Sequence, residues 1–166
     1  MAEPLDRLNQ YTVAMIERRE SDWLNAVLTE EIPLGGAMAL SVERLDDERL
    51  VLGMPLEPNV NDKGTAFGGA LVSAMILAGW SLPRLMLRRI DCAADLVIGR
   101  AETRFLMPVE GPFTAVCDWP EPSSQERFLD GLRSRGRGRL ALEPRIECGG
   151  RVAATLSARY AALKKD

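Results

Sequence analysis

The chain has 166 residues, enough to bury one core of ordinary size without disulfides or a structural metal. Its hydrophobic share of 46% and charged share of 27% belong to a globular chain rather than a disordered one. A net charge of −3 and a pI near 5.2 argue against a general affinity for nucleic acid or an anionic membrane.

The chain contains no histidine. That excludes Ser-His-Asp and Cys-His catalysis and any histidine metal site, and it removes the usual general base near neutral pH. Cys92, Cys117 and Cys148 form no Cys-x-x-Cys pair, so neither a zinc site nor a redox motif is expected. Reduced, structural thiols fit a cytoplasmic compartment. The first ten residues lack the basic-then-apolar pattern of a signal peptide, which points the same way.

In chain order, Leu5, Leu8, Thr12, Met15 and Ile16 recur at helical spacing, and Trp23, Leu24, Val27 and Leu28 continue it. The spacing predicts an amphipathic helical segment over 3–31, lying on the domain or at a subunit contact. A break is expected at Arg18-Arg19-Glu20, with Ser21 capping a second short helix and Pro33 and Gly35-Gly36 stopping it. Residues 1–32 are thus expected as a helical segment packed on a domain formed by 33–166.

Met38, Leu40 and Val42 alternate with smaller or polar residues, as do Leu50, Leu52, Met54 and Leu56, predicting two strands. From Gly64 to Pro83 no residue is charged. An all-round apolar run between strand patterns reads as a buried core helix rather than a membrane span. Strand patterns then run from Leu96 to Met107, Phe113 to Trp119, Leu140 to Glu147 and Val152 to Tyr160. Ser123 to Arg133 reads as a surface helix or loop, and Gly149-Gly150 as a hairpin turn. Short connections between the later strands exclude a parallel array. The pattern predicts an α+β chain in which one curved antiparallel sheet wraps around the single long helix.

The segment Asn61-Asp62-Lys63-Gly64-Thr65-Ala66-Phe67-Gly68-Gly69 resembles the asparagine-glycine-histidine-glycine-glycine signature of hotdog-fold thioesterases, with Phe67 in the histidine position. It is closer still to the thioesterase family represented by the C-terminal domain of YiiD. Glu31-Ile32-Pro33-Leu34, Leu77-Ala78-Gly79-Trp80 and Arg104-Phe105-Leu106-Met107-Pro108-Val109 extend the likeness over roughly residues 22–163. The resemblance implies a hotdog fold and hydrolysis of acyl-CoA or a related acyl thioester. It implies no cofactor beyond the coenzyme A of the substrate; the cysteine spacing and the lack of histidine argue against a metal, and the net charge against a nucleic-acid or membrane partner. It further implies a homodimer, or a dimer of dimers, with each site built across a subunit interface.

Physical chemistry gives the motif a meaning. A helix N-terminus carries unpaired amides and a positive dipole end, and glycine side chains leave them accessible. A thioester carbonyl held there would have its oxyanion stabilised by the Gly68 N–H, a contribution of about 3–4 kcal/mol for one such donor. Glycines needed only for close helix–sheet packing are the alternative. The resemblance puts Gly68 at the oxyanion position and Asn61 at that of the family's polar amide; Asp62 is the remaining candidate base beside them. Lys63, Gly64, Thr65, Phe67, Gly69, Ser73 and Arg104 are the candidate substrate-binding residues, Arg104 as a fork for a coenzyme A phosphate.

Each residue also has a structural reading. Asn61 would orient the thioester or a water, or else hold its own loop. Asp62 would act as general base, or else form an exposed ion pair with Lys63. Thr65 reads first as a helix cap, and Ser73 as a hydroxyl bonded back to a helix carbonyl. Where many hotdog thioesterases carry a helix carboxylate, eight residues after the oxyanion glycine, this chain has Ile76. That departure favours a second reading, a non-catalytic acyl-thioester-binding or dimerisation module; an enoyl-thioester hydratase ranks third, since it normally needs a histidine or paired carboxylate. Arg133, Arg135, Arg137 and Arg139 read as a mobile basic loop, a coenzyme A phosphate contact or, last, an RNA contact.

Overall fold

The computed structural model describes residues 4–165. Residues 1–3 and 166, and the side chains of residues 4–8 and 11, lie outside that description, so the expected roles of residue 3, Leu5 and Leu8 do too. Helix α1 runs through Pro4–Ala26 and passes into a π-helical turn at Val27–Glu31. The break expected at residues 18–20 does not occur. Glu20 is buried, and both its carboxylate oxygens accept hydrogen bonds from Arg89, at 2.8 and 2.7 Å. The charge that looked like an interruption is an attachment point. Leu24 and Leu28 are fully buried on the same side of the segment, a contribution of roughly 1.5–3 kcal/mol each. Asn25 Oδ1 accepts the Val42 amide at 2.9 Å and ties the helix to the first strand.

The first helical segment ends at Glu31, with Ile32 extended just before Pro33, and Pro33 then opens a second short helix, α2 (Pro33–Ala37), where its missing N–H costs nothing. Strands β1 (Ser41–Leu45) and β2 (Arg49–Met54) follow. Helix α3 spans Gly68–Arg89, six residues beyond the expected end, with Pro83 inside it. Proline costs a helix interior about 3 kcal/mol. Leu85 and Leu87 are fully buried beyond that point, and their burial, about 1.5–3 kcal/mol each, offsets the defect. By length and mean hydropathy of 1.5 this helix would suffice to cross a membrane, but 67% of the apolar stretch is buried in the protein.

Strands β3 (Ala94–Phe105) and β4 (Phe113–Asp118), helix α4 (Pro122–Arg135), and strands β5 (Arg137–Leu142), β6 (Arg145–Cys148) and β7 (Arg151–Lys164) complete the order. Pro144 divides the single strand expected over 140–147 into two. The arginine-rich run is no mobile loop: it ends α4, turns at Gly136 in the left-handed region (φ 68°), and enters β5. Gly149 and Gly150 both take positive φ, 57° and 74°, as the two-residue β6–β7 turn requires.

All pairings are antiparallel, in the order β1-β2-β4-β6-β7-β3, with β5 beside the C-terminal half of β7. Ala154, Leu156, Ala158, Tyr160 and Ala162 of β7 are buried while intervening residues face outward. Helix α3 lies in the concavity, against β2, β3, β4, β6 and β7. The Tyr160 hydroxyl donates to the Ile76 carbonyl at 2.9 Å, in space that Gly79 leaves by having no Cβ. The expectation of a curved antiparallel sheet around one long buried helix therefore holds.

A candidate active site at the start of the long helix

The segment before α3 is shaped by backbone bonds. The Ala66 amide donates to Val109 O at 2.8 Å, and the Phe67 amide to Asn59 O at 2.7 Å. Asn59, which the motif did not flag, is the buried anchor. Its Nδ2 donates to the carbonyls of Met38 and Pro55, at 3.0 and 2.8 Å, and its Oδ1 is buried without a hydrogen-bond partner among the described residues. Asn59 lies outside the nine-residue motif, and its only sequence signal is a polar residue following Pro58.

Within the motif, Asn61 holds the loop. Its Oδ1 accepts the amides of Lys63 (2.9 Å) and Thr65 (3.2 Å), and its Nδ2 donates to Thr65 Oγ1 at 2.9 Å. Gly64 sits at φ 78°, a left-handed value that favours glycine. Thr65 is not the helix cap. Its hydroxyl is the acceptor for Asn61, and the capping position falls to Phe67, which offers no side-chain bond. Asp62 and Lys63 are exposed and form no ion pair with each other among the described residues. Ser73 Oγ donates to Gly69 O at 2.8 Å, the back-bonded state of a helix serine.

What the turn leaves open is the helix end itself. The Ala70 and Leu71 amides donate to Phe67 O, at 2.9 and 3.1 Å, whereas the Gly68 and Gly69 amides have no acceptor among the described residues. Two exposed aromatic rings frame them. A Cβ on Gly68 would lie 3.4 Å from Phe105 Cζ, and one on Gly69 would overlap the Phe67 ring. Phe67 and Phe105 are 58% and 57% exposed, a rim of apolar surface beside a pair of free donors. This arrangement can hold an electronegative oxygen against the amides and an apolar group against the rings.

Arg104 stands apart from this end. Being next to Phe105 on a strand, it points to the other face of the sheet. There it borders a concavity with Asp118, Glu143 and Arg145. Ile76 is half-buried, and α3 carries no ionisable side chain until Arg84. Among the described residues no cluster of three cysteines or carboxylates could hold a metal.

Residues 21–164 match the family model described as "Putative thioesterase (yiiD_Cterm)", a span that includes the motif, the aromatic rim and the whole sheet. The chain belongs to this family. Among solved structures, a protein of unknown function from Chlorobaculum tepidum is similar at 29% identity, over 90% of this chain and 97% of that one, with a TM-score of 0.86. The putative thioesterase from Shewanella oneidensis is 25% identical over 88% and 99% of the two chains, with a TM-score of 0.77. A thioesterase from Pseudomonas aeruginosa, solved as a mutant, shares the fold at 18% identity and a TM-score of 0.63. The fold of this YiiD C-terminal-domain relative is accordingly the hotdog fold.

Proposed function

We propose that the protein hydrolyses acyl-CoA or a related acyl thioester at the start of α3. The observation that carries this reading is the pair of free amides at Gly68 and Gly69 framed by Phe67 and Phe105. The thioester carbonyl would rest on the amides, which stabilise the oxyanion formed when water attacks, and the acyl chain would lie along the rings. Asp62, on the exposed turn just before the helix, is the nearest carboxylate in sequence and is assigned as general base. Asn61 positions the turn rather than the substrate.

A homodimer in the cytoplasm is part of the same proposal. Among the described residues, strand β3 pairs on one side only, with β7, and exposes Val97 and Ile98 at its free edge position. A second copy would cover that edge. Coenzyme A enters as part of the substrate, with no separate cofactor.

The test is turnover of a panel of short- to long-chain acyl-CoAs by the purified protein, with its mass in solution measured alongside. Asp62→Asn should lower kcat by about 10²–10⁴-fold with little change in KM. Asn61→Ala should act through disorder of the turn and raise KM as well. Absence of turnover across the panel by folded dimer sinks the proposal.

One observation favours a second reading, a non-catalytic acyl-thioester-binding or dimerisation module. The amide of Asn61 is occupied within its own turn, and Ile76 supplies no carboxylate. Tight binding of a non-hydrolysable acyl-CoA analogue without hydrolysis of the parent thioester would establish it.

A further inference from the structure

Four arginines surround a cleft of about 290 Å³ between α4 and the outer edge of β5: Arg127, Arg135, Arg137 and Arg139, over Gly131 and Gly138. The two glycines allow this closeness, since a Cβ on either would strike the opposing backbone. Arg139 also borders a second concavity of about 620 Å³ on the outer face of the sheet, where Arg100 and Arg159 join it. Arg100 and Arg159 are direct cross-strand partners. Among the described residues no acidic side chain lines either concavity.

All but one of these arginines are also without an ion pair among the described residues. Arg100 reaches Glu102 at 3.8 Å, and Arg127 donates to the Ser124 hydroxyl at 2.9 Å. Arg135, Arg137, Arg139 and Arg159 form no ion pair among the described residues. In a chain of net charge −3 this is a local inversion of sign. Elsewhere on the same face, Arg145 bridges Asp118 and Glu147 at 2.7 and 2.6 Å, so carboxylates are placed beside arginines where neutrality is wanted. Like charges directly opposite each other on a sheet are destabilising. A fold that keeps Arg100 against Arg159 forgoes stability that a neutral pair would supply.

We propose that these adjoining concavities bind a small ligand carrying two or more phosphoryl groups. Guanidinium forks match phosphate oxygens in pairs, and six of them over two concavities exceed what one phosphate can use. Gly99, Ala141 and Ala161 give the second concavity a floor of small side chains on which the body of the ligand can lie. Strand geometry sets the site apart from the Gly68 amides: Arg100 is five residues from Phe105, roughly 16 Å along β3, and on the other face of the sheet. The proposal does not depend on thioester hydrolysis.

The test is calorimetric titration of the whole chain with inorganic pyrophosphate at low salt, repeated with coenzyme A as competitor. Saturable pyrophosphate binding is expected, weakened at least tenfold by the double variant Arg139→Gln, Arg159→Gln and unchanged by Arg151→Gln, which lies outside both concavities. The double variant removes like-charge repulsion, so its Tm should equal or exceed that of the parent and loss of binding will not reflect unfolding. Displacement of pyrophosphate by coenzyme A identifies a nucleotide as the source of the phosphates, and failure to displace it identifies a free polyphosphate. No saturable binding, equal binding by the double variant, or binding of single-stranded oligonucleotide without pyrophosphate binding overturns the proposal.

Discussion

The ring of Phe67, the residue at the capping position of α3, folds back over Gly69, beside one of the helix's two free amides. A Cβ at position 69 would meet the outer end of that ring, which is exposed and can swing away. Gly69→Ala should therefore leave stability within about 0.5 kcal/mol of the parent, as for other surface changes. The displaced ring would no longer line the amides. KM for an acyl thioester should rise roughly tenfold, the scale of a lost apolar pocket contact. Phe67→Ala should do the same. Thermal unfolding and steady-state kinetics on both variants provide the check; a large fall in Tm with unchanged KM would show that the ring serves only packing.

Gly79 and Tyr160 make the opposite case, because nothing there can move. The hydroxyl is held at Ile76 O in the core, directly where an alanine Cβ would go. Tyr160→Phe should cost about 0.5–1.5 kcal/mol for the hydrogen bond and the orphaned carbonyl. Gly79→Ala should cost more, from overpacking of about 1–3 kcal/mol plus loss of the same bond. Combined, the two should cost less than their sum, since removing the hydroxyl makes room for the methyl group. Chemical denaturation of the four species tests this, and strict additivity would refute it.

Burial pushes the Cys117 thiol up to about 12 from a usual 9.0, with the neighbouring Asp118 charge adding to the effect. Burial likewise raises the Tyr160 phenol. The folded state keeps protons that the unfolded chain gives up, so stability is whole below about pH 9 and falls as pH climbs toward 12. Cys117→Ala should flatten that fall, measured by denaturant unfolding from pH 8 to 11. In the native protein Cys117 should resist alkylation while the half-buried Cys92 and Cys148 react.

Periodicity located the long helix and the alternating strands because one face of each is buried, and that pattern is written in the residue types. It failed where a polar group is buried with a distant partner. Glu20 read as an interruption because Arg89 is 69 residues away. Pro83 read as a terminator because local cost is visible in sequence and the burial of Leu85 and Leu87 is not. The arginine run read as a loop for a similar reason: Gly131 and Gly138, which bring α4 and β5 together, are seven residues apart and look like flexibility.

The motif located the helix end correctly but not the division of labour within it. Asn61 and Thr65 bond each other, and only geometry shows that their polar groups are spent on the turn. Phe105 and Asn59, which shape the site as much as the motif does, come from outside it. No short pattern could have joined them to Gly68.

The tie between Glu20 and Arg89 has a bearing on where this protein begins as a folding unit. The family match starts at residue 21, one position after the carboxylate that Arg89 grips while stacking on Trp119 at 4.9 Å. Recognition and cohesion thus have different borders. The stretch shared with relatives is held in place by a residue just upstream of it.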